Sequence, residues 1–158
     1  MTTTDIRRPR PVVRTAPLTA RTATSAWFLA VGAGVAESVL GLVGAIGDGT
    51  PVVGLVAQVA LRTIVYGGLF VTIDRYFRHG VPWSRWLLTV LLGTVGLATL
   101  LISPISWLAD GADVASVDVT AGFVVFAVLR TVHVLAVITA CVLTFHPDTT
   151  AWFRRARS

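Results

Sequence analysis

Apolar and polar positions fall in long blocks along this chain. Four apolar runs, over residues 25–47, 51–73, 86–108 and 120–145, are separated by short connections rich in Arg, Asp, Gly and Pro. A helix needs roughly 20 apolar residues to cross a hydrocarbon core about 30 Å thick, and each run meets that length. No other stretch does. Inside a bilayer every backbone donor and acceptor must be satisfied within the protein, so such runs read as helices. The pattern predicts an all-α, polytopic membrane protein. Residues 25–146 are expected to form a left-handed four-transmembrane-helix bundle, between a basic arm expected to be disordered (1–24) and an expected interfacial tail (147–158).

Charge placement orients the spans. Arg7, Arg8, Arg10, Arg14 and Arg21 precede the first run, Arg75, Arg78 and Arg85 occupy the second connection, and Arg154, Arg155 and Arg157 close the chain. The first and third connections carry Asp48, and Asp110, Asp113 and Asp118, with no arginine. Basic loops stay on the cytoplasmic side, so both termini are expected there, in a multi-pass protein of the cell (plasma) membrane. The cytoplasmic arginines would touch anionic lipid headgroups. Trp83, Trp86, Tyr76 and Phe77 on the inner side, and Trp107 on the outer, fit interfacial aromatic belts. Pro147 ends the fourth run, and Asp148 or Thr149 is placed to cap a short helix along the inner surface, containing Trp152 and Phe153. A cleaved signal peptide is disfavoured, because the polar leader is long and Glu37 interrupts the first apolar run.

The second and fourth runs echo each other. Val59 to Ile64 resembles Ala127 to Val132, with Arg62 matching Arg130, and the pairs Asp48-Gly49 and Asp110-Gly111 each follow the preceding run. A duplicated helical hairpin would explain this, as a parallel repeat about an axis along the membrane normal. Chance matching in low-complexity apolar sequence is the alternative.

Inside the runs, charge is scarce. At 1.5 Å per residue from the cytoplasmic ends, Glu37 lies roughly 17 Å deep, Arg62 about 18 Å and Arg130 about 24 Å. A charge at mid-membrane costs at least ~2.5 to 3.5 kcal/mol, so these three are expected to face one another or water. The arrangement of lowest cost sets Glu37 between two guanidiniums. His133, one turn from Arg130, and Gln58 and Tyr66, flanking Arg62 at i−4 and i+4, would complete the hydrogen bonding. One carboxylate against two arginines leaves residual positive charge, to be met by water, an anionic solute or a lipid headgroup. Gly34, Gly41 and Gly44 share a face with Glu37 and let a neighbouring backbone approach.

Composition narrows the classes. Mean hydropathy of +0.78 and a hydrophobic fraction of 54% exceed what a soluble domain of 158 residues buries. The net charge of +5 comes from flanking arginines, so no nucleic-acid partner is expected. Cys141 is the lone cysteine, so no intrachain disulfide or thiolate cage forms. His133 has no second ligand nearby in sequence, His79 and His146 lying at the inner boundary, so neither metal nor other cofactor is expected. Asp74 with Arg75 and Arg78 reads as an exposed boundary cluster. No nucleophile triad, zinc motif or phosphate loop occurs, so enzymatic activity is not expected.

The segments Trp27 to Glu37 and Phe145 to Arg154, with an arginine in the middle of the second and fourth runs, resemble uncharacterised small four-span membrane proteins of actinobacteria. A second resemblance is to small multidrug resistance transporters, which have four spans and a membrane-embedded glutamate in the first, here Glu37. That resemblance implies exchange of protons for cationic drugs. Arg62 and Arg130, also near mid-membrane, would repel a lipophilic cation, so the residues themselves favour an anion or zwitterion. The leading expectation is a non-catalytic structural or accessory protein of the inner membrane. The alternative is a small transporter binding an anionic or zwitterionic solute at the Glu37/Arg62/Arg130 cluster. Four spans enclose little cavity, so such a transporter would be a homodimer.

Overall fold

A computed structural model describes residues 15–111 and 120–155. Most of the expected basic arm, the connection carrying Asp113 and Asp118, and Arg157 lie outside the described residues. The chain is all-α, with no strand among the described residues and four helices long and apolar enough to cross a membrane. The first span is α1 (Leu18–Gly47). The second is α2 (Val52–Val71), continued by a π-helical turn over Thr72–Phe77. The third joins α3 (Pro82–Leu88), a π-helical stretch over Thr89–Gly96, and α4 (Leu97–Ala109). The fourth is α5 (Ala121–Thr144), and α6 (Pro147–Arg155) follows.

Several ends differ from the hydropathy limits. The first helix starts at Leu18, inside the segment expected to be disordered. Ala20, Ala23, Ala26, Trp27 and Ala30 recur at helical spacing and are buried, so packing extends this helix beyond the apolar run. The third span begins at Pro82, which suits a first helical turn because its missing N–H would be unpaired there. The tail helix begins at Pro147, and its capping acceptor is His146 Nδ1, 3.3 Å from the Asp148 amide, not Asp148 or Thr149. The repeated Asp-Gly pairs have a local cause. Gly49 and Gly111 take positive φ, 71° and 95°, just past helix ends, a conformation glycine adopts without a Cβ clash.

The core occupies one half of the bundle. Small residues on α1 meet Ala136 and Ala140 on α5, which lets these two helices pack most closely of all. Trp27, fully buried, donates Nε1–H to Thr144 Oγ1 at 3.1 Å across that seam. Leu69, Ile73 and Phe77 from the second span and Leu88 and Leu92 from the third complete the cluster. Phe77, assigned above to an interfacial belt, is instead core, and Phe153 of α6 meets it edge-on at 5.2 Å. Thr149 and Thr19 share a 3.0 Å hydrogen bond, tying α6 to the start of α1. The Arg85 guanidinium lies 5.5 to 5.9 Å from the rings of Trp86, Phe145 and Phe153, a cation–π contact that helps seat α6.

Toward the aspartate-bearing end the helices part. The second and third spans meet closely only beside the turn that joins them. Beyond it α2 and α4 expose most of their side chains, and Glu37 and Leu100 are the buried residues that reach deepest into this half. This packing is lopsided. The close seam between α1 and α5 has no counterpart between the second and third spans, where a twofold repeat of hairpins would place one.

Candidate functional site

The membrane-depth polar residues gather where the closed half gives way to the open one. Glu37 on α1 is buried and accepts two hydrogen bonds from α5, which brings both donors to one face at three-residue spacing. Arg130 Nε reaches Glu37 Oε2 at 3.0 Å, and His133 Nδ1 lies 3.1 Å from Oε1. The expected Glu37–Arg130 pair is present. The second partner differs from expectation, being the imidazole of His133 and not the Arg62 guanidinium.

Arg130 makes further contacts. Its Nη1 donates to the Leu100 carbonyl at 2.8 Å, and its guanidinium sits 4.7 Å from the Phe126 ring centroid. Leu100 has a spare carbonyl for a covalent reason: Pro104, four residues on, has no N–H to give it. Proline in a span thus supplies an acceptor at membrane depth, met here by a neighbouring helix.

Arg62 is held apart. Its Nη1 donates to the Ser38 backbone carbonyl at 2.9 Å, and the Ser38 hydroxyl lies 3.0 Å from the Tyr66 hydroxyl. A guanidinium has five N–H donors. Among the described residues Arg62 commits one of them, and no carboxylate pairs with it. Gln58, one turn away, keeps a buried Oε1 without a partner among the described residues. Tyr66 therefore joins the cluster through Ser38, whereas Gln58 stays outside its hydrogen bonds.

Gly34 makes the assembly fit. A Cβ there would stand 3.0 Å from His133 Cε1 and 3.1 Å from Tyr66 Cε1, so any larger residue would push these rings back by a few tenths of an ångström. Gly41 is 3.8 Å from Arg62 Nη1 by the same measure, an ordinary contact.

These groups line a cavity of about 940 Å³ bounded by all four spans, with Glu37, Arg62, Arg130 and His133 on its wall. Arg62 also lines a second cavity of about 420 Å³ between α1 and α2. Two guanidiniums and one carboxylate share the wall of the larger cavity. Their surroundings are apolar, which strengthens any electrostatic contact made inside.

Ser38, Pro104 with Leu100, and Phe126 escaped the sequence reading, whereas Gly34 was already placed on the Glu37 face. A proline in the third apolar run was the one usable signal, since it always frees a carbonyl four residues back. Elsewhere, Asp74 pairs with Arg78 at an exposed helix end, as its boundary position suggests. No group of His, Cys, Asp and Glu suited to a metal ion occurs among the described residues. No family model, curated protein or solved structure matches the chain.

Proposed function

We propose that this chain is a small membrane transporter, or a binding protein of the same design, that takes the anionic or zwitterionic group of its ligand at Arg62 and Arg130. In this reading it is a multi-pass protein of the cell membrane with both termini cytoplasmic, the orientation that its basic connections favour. The observation that carries the reading is the state of Arg62. An arginine at this depth is expensive unless paired, and here one N–H meets a backbone carbonyl while the guanidinium lines a large cavity. Glu37 offers no remaining oxygen free of a partner, because Arg130 and His133 occupy both. An incoming anion is the chemistry that completes the site.

A purely accessory role draws support from the Glu37–Arg130–His133 group, which joins α1 to α5 and would fix helix register by itself. That role uses one N–H of Arg62, on the Ser38 carbonyl, and leaves the rest of its guanidinium facing the cavity.

The test is thermal unfolding in phosphatidylcholine nanodiscs with acetate, glutamate, inorganic phosphate, glycine and decanoate titrated in turn. At least one is expected to raise Tm saturably, as a ligand that binds only the native state must. The shift should vanish in Arg62→Gln. No shift with any of them, or a shift unchanged in that variant, would remove the proposal.

A further inference from the structure

We infer that the ligand is an amphiphile, with an anionic head held at Arg62 and Arg130 and an apolar chain lying in the gap between the second and third spans. The inference rests on the anion-binding reading above and goes further by specifying the rest of the ligand and its route.

The cavity has two kinds of wall. On the side of α1 and α5 it presents Glu37, Arg130 and His133, and across from them Leu61, Ile64 and Val65 of α2 oppose Leu91 and Val95 of the third span. These five side chains are all more than a third exposed, although they border a cavity inside the bundle. The two spans that carry them have separated beyond their connecting turn, so the gap opens sideways. A span's flank faces acyl chains, and a water-soluble anion arriving that way would have to shed its hydration in hydrocarbon. An amphiphile already resident in the bilayer slides its chain between apolar walls and brings only its head to the arginines. The volume of about 940 Å³ lies at the upper end of ordinary ligand pockets, roughly 300 to 1,000 Å³, which leaves room for a chain as well as a head. Charge selects the sign of that head, because the wall carries two arginines and a carboxylate already engaged.

The experiment compares acetate, hexanoate, decanoate and decyltrimethylammonium as stabilisers of the full chain in phosphatidylcholine nanodiscs, for wild type, Arg62→Gln and Val95→Trp. Val95→Trp adds bulk to the gap while leaving both arginines in the sequence, and Leu91→Trp replaces it should that variant fail to fold. Decanoate is expected to act at a total concentration at least about tenfold lower than acetate, since each methylene moved out of water adds roughly fourfold in affinity. Its effect should be lost in Arg62→Gln and in the Trp variant, and the cationic amphiphile should do nothing. Acetate matching decanoate would overturn the amphiphile and leave the anion site standing. Decanoate acting equally on the Trp variant would place the chain elsewhere and overturn the route. Should no carboxylate act while native mass spectrometry of wild type shows a dimer that Val95→Trp abolishes, a second copy covers the gap, and both this inference and the anion site fall.

Discussion

Removing the Glu37 carboxylate strands two donors at once, Arg130 Nε and His133 Nδ1, whereas removing Arg62 frees one backbone carbonyl. Breaking a buried ion pair from one side costs about 3–5 kcal/mol, and Arg130 is 26% exposed to the cavity, so Glu37→Gln is expected to lose nearer 1–3 kcal/mol. Arg62→Leu should fall within about 1 kcal/mol of wild type in ligand-free detergent, or gain stability, as groups kept for binding often allow. Denaturant unfolding of the two variants decides it. An Arg62→Leu loss equal to that of Glu37→Gln would make Arg62 a structural strut and count against the ligand reading. The charged members of this cluster were legible in the sequence because a charge inside an apolar run must find company. The Glu37–Arg130 pair was legible as well, but the partners of Arg62 and the second partner of Glu37 were not. Ser38 and Leu100 act through backbone carbonyls, a group every residue carries, and nothing in residue identity says which carbonyl a guanidinium will meet.

Among the elements, the four spans followed from apolar length alone, since bilayer thickness sets a minimum that few soluble helices meet with such composition. Their ends and inner irregularities did not. Leu18 to Thr24 is too polar to look like a span, and it is helical because alanines beneath it pack on the rest of the bundle. The π-helical turns at Thr72–Phe77 and Thr89–Gly96 have no hydropathy signature. Within the third span, the link from Pro104 through the Leu100 carbonyl to Arg130 predicts a measurable coupling. Pro104→Ala restores a competing backbone donor, so its effect on stability should depend on whether Arg130 is present. A double-mutant cycle of Pro104→Ala with Arg130→Gln is expected to give about 1 kcal/mol of interaction energy. Additive effects would mean that Arg130 does not rely on that carbonyl.

For the molecule as a whole, one end is clamped and the other is spread. The clamp depends on α6, where Phe153 is 1% exposed and packs edge-on against Phe77. Phe153→Ala should cost about 3 kcal/mol, near the usual figure for a buried phenylalanine, and lower Tm accordingly. The same change at Phe123, 47% exposed in the spread half, should cost under about 1 kcal/mol. Equal losses would mean that the clamp does not hold the fold. The spans also differ in how they would tolerate a change of length over evolution. Deleting one residue from α1 turns everything beyond it by about 100°, which would swing Glu37 away from Arg130 and His133 or pull the alanine face out of its seam. The third span has slack, because its wide turn over Thr89–Gly96 takes in a residue that an ordinary helical turn does without. Losing one residue there closes the turn and leaves both ends facing as before, so single-residue gaps among diverged copies of this chain are expected to fall between 89 and 96.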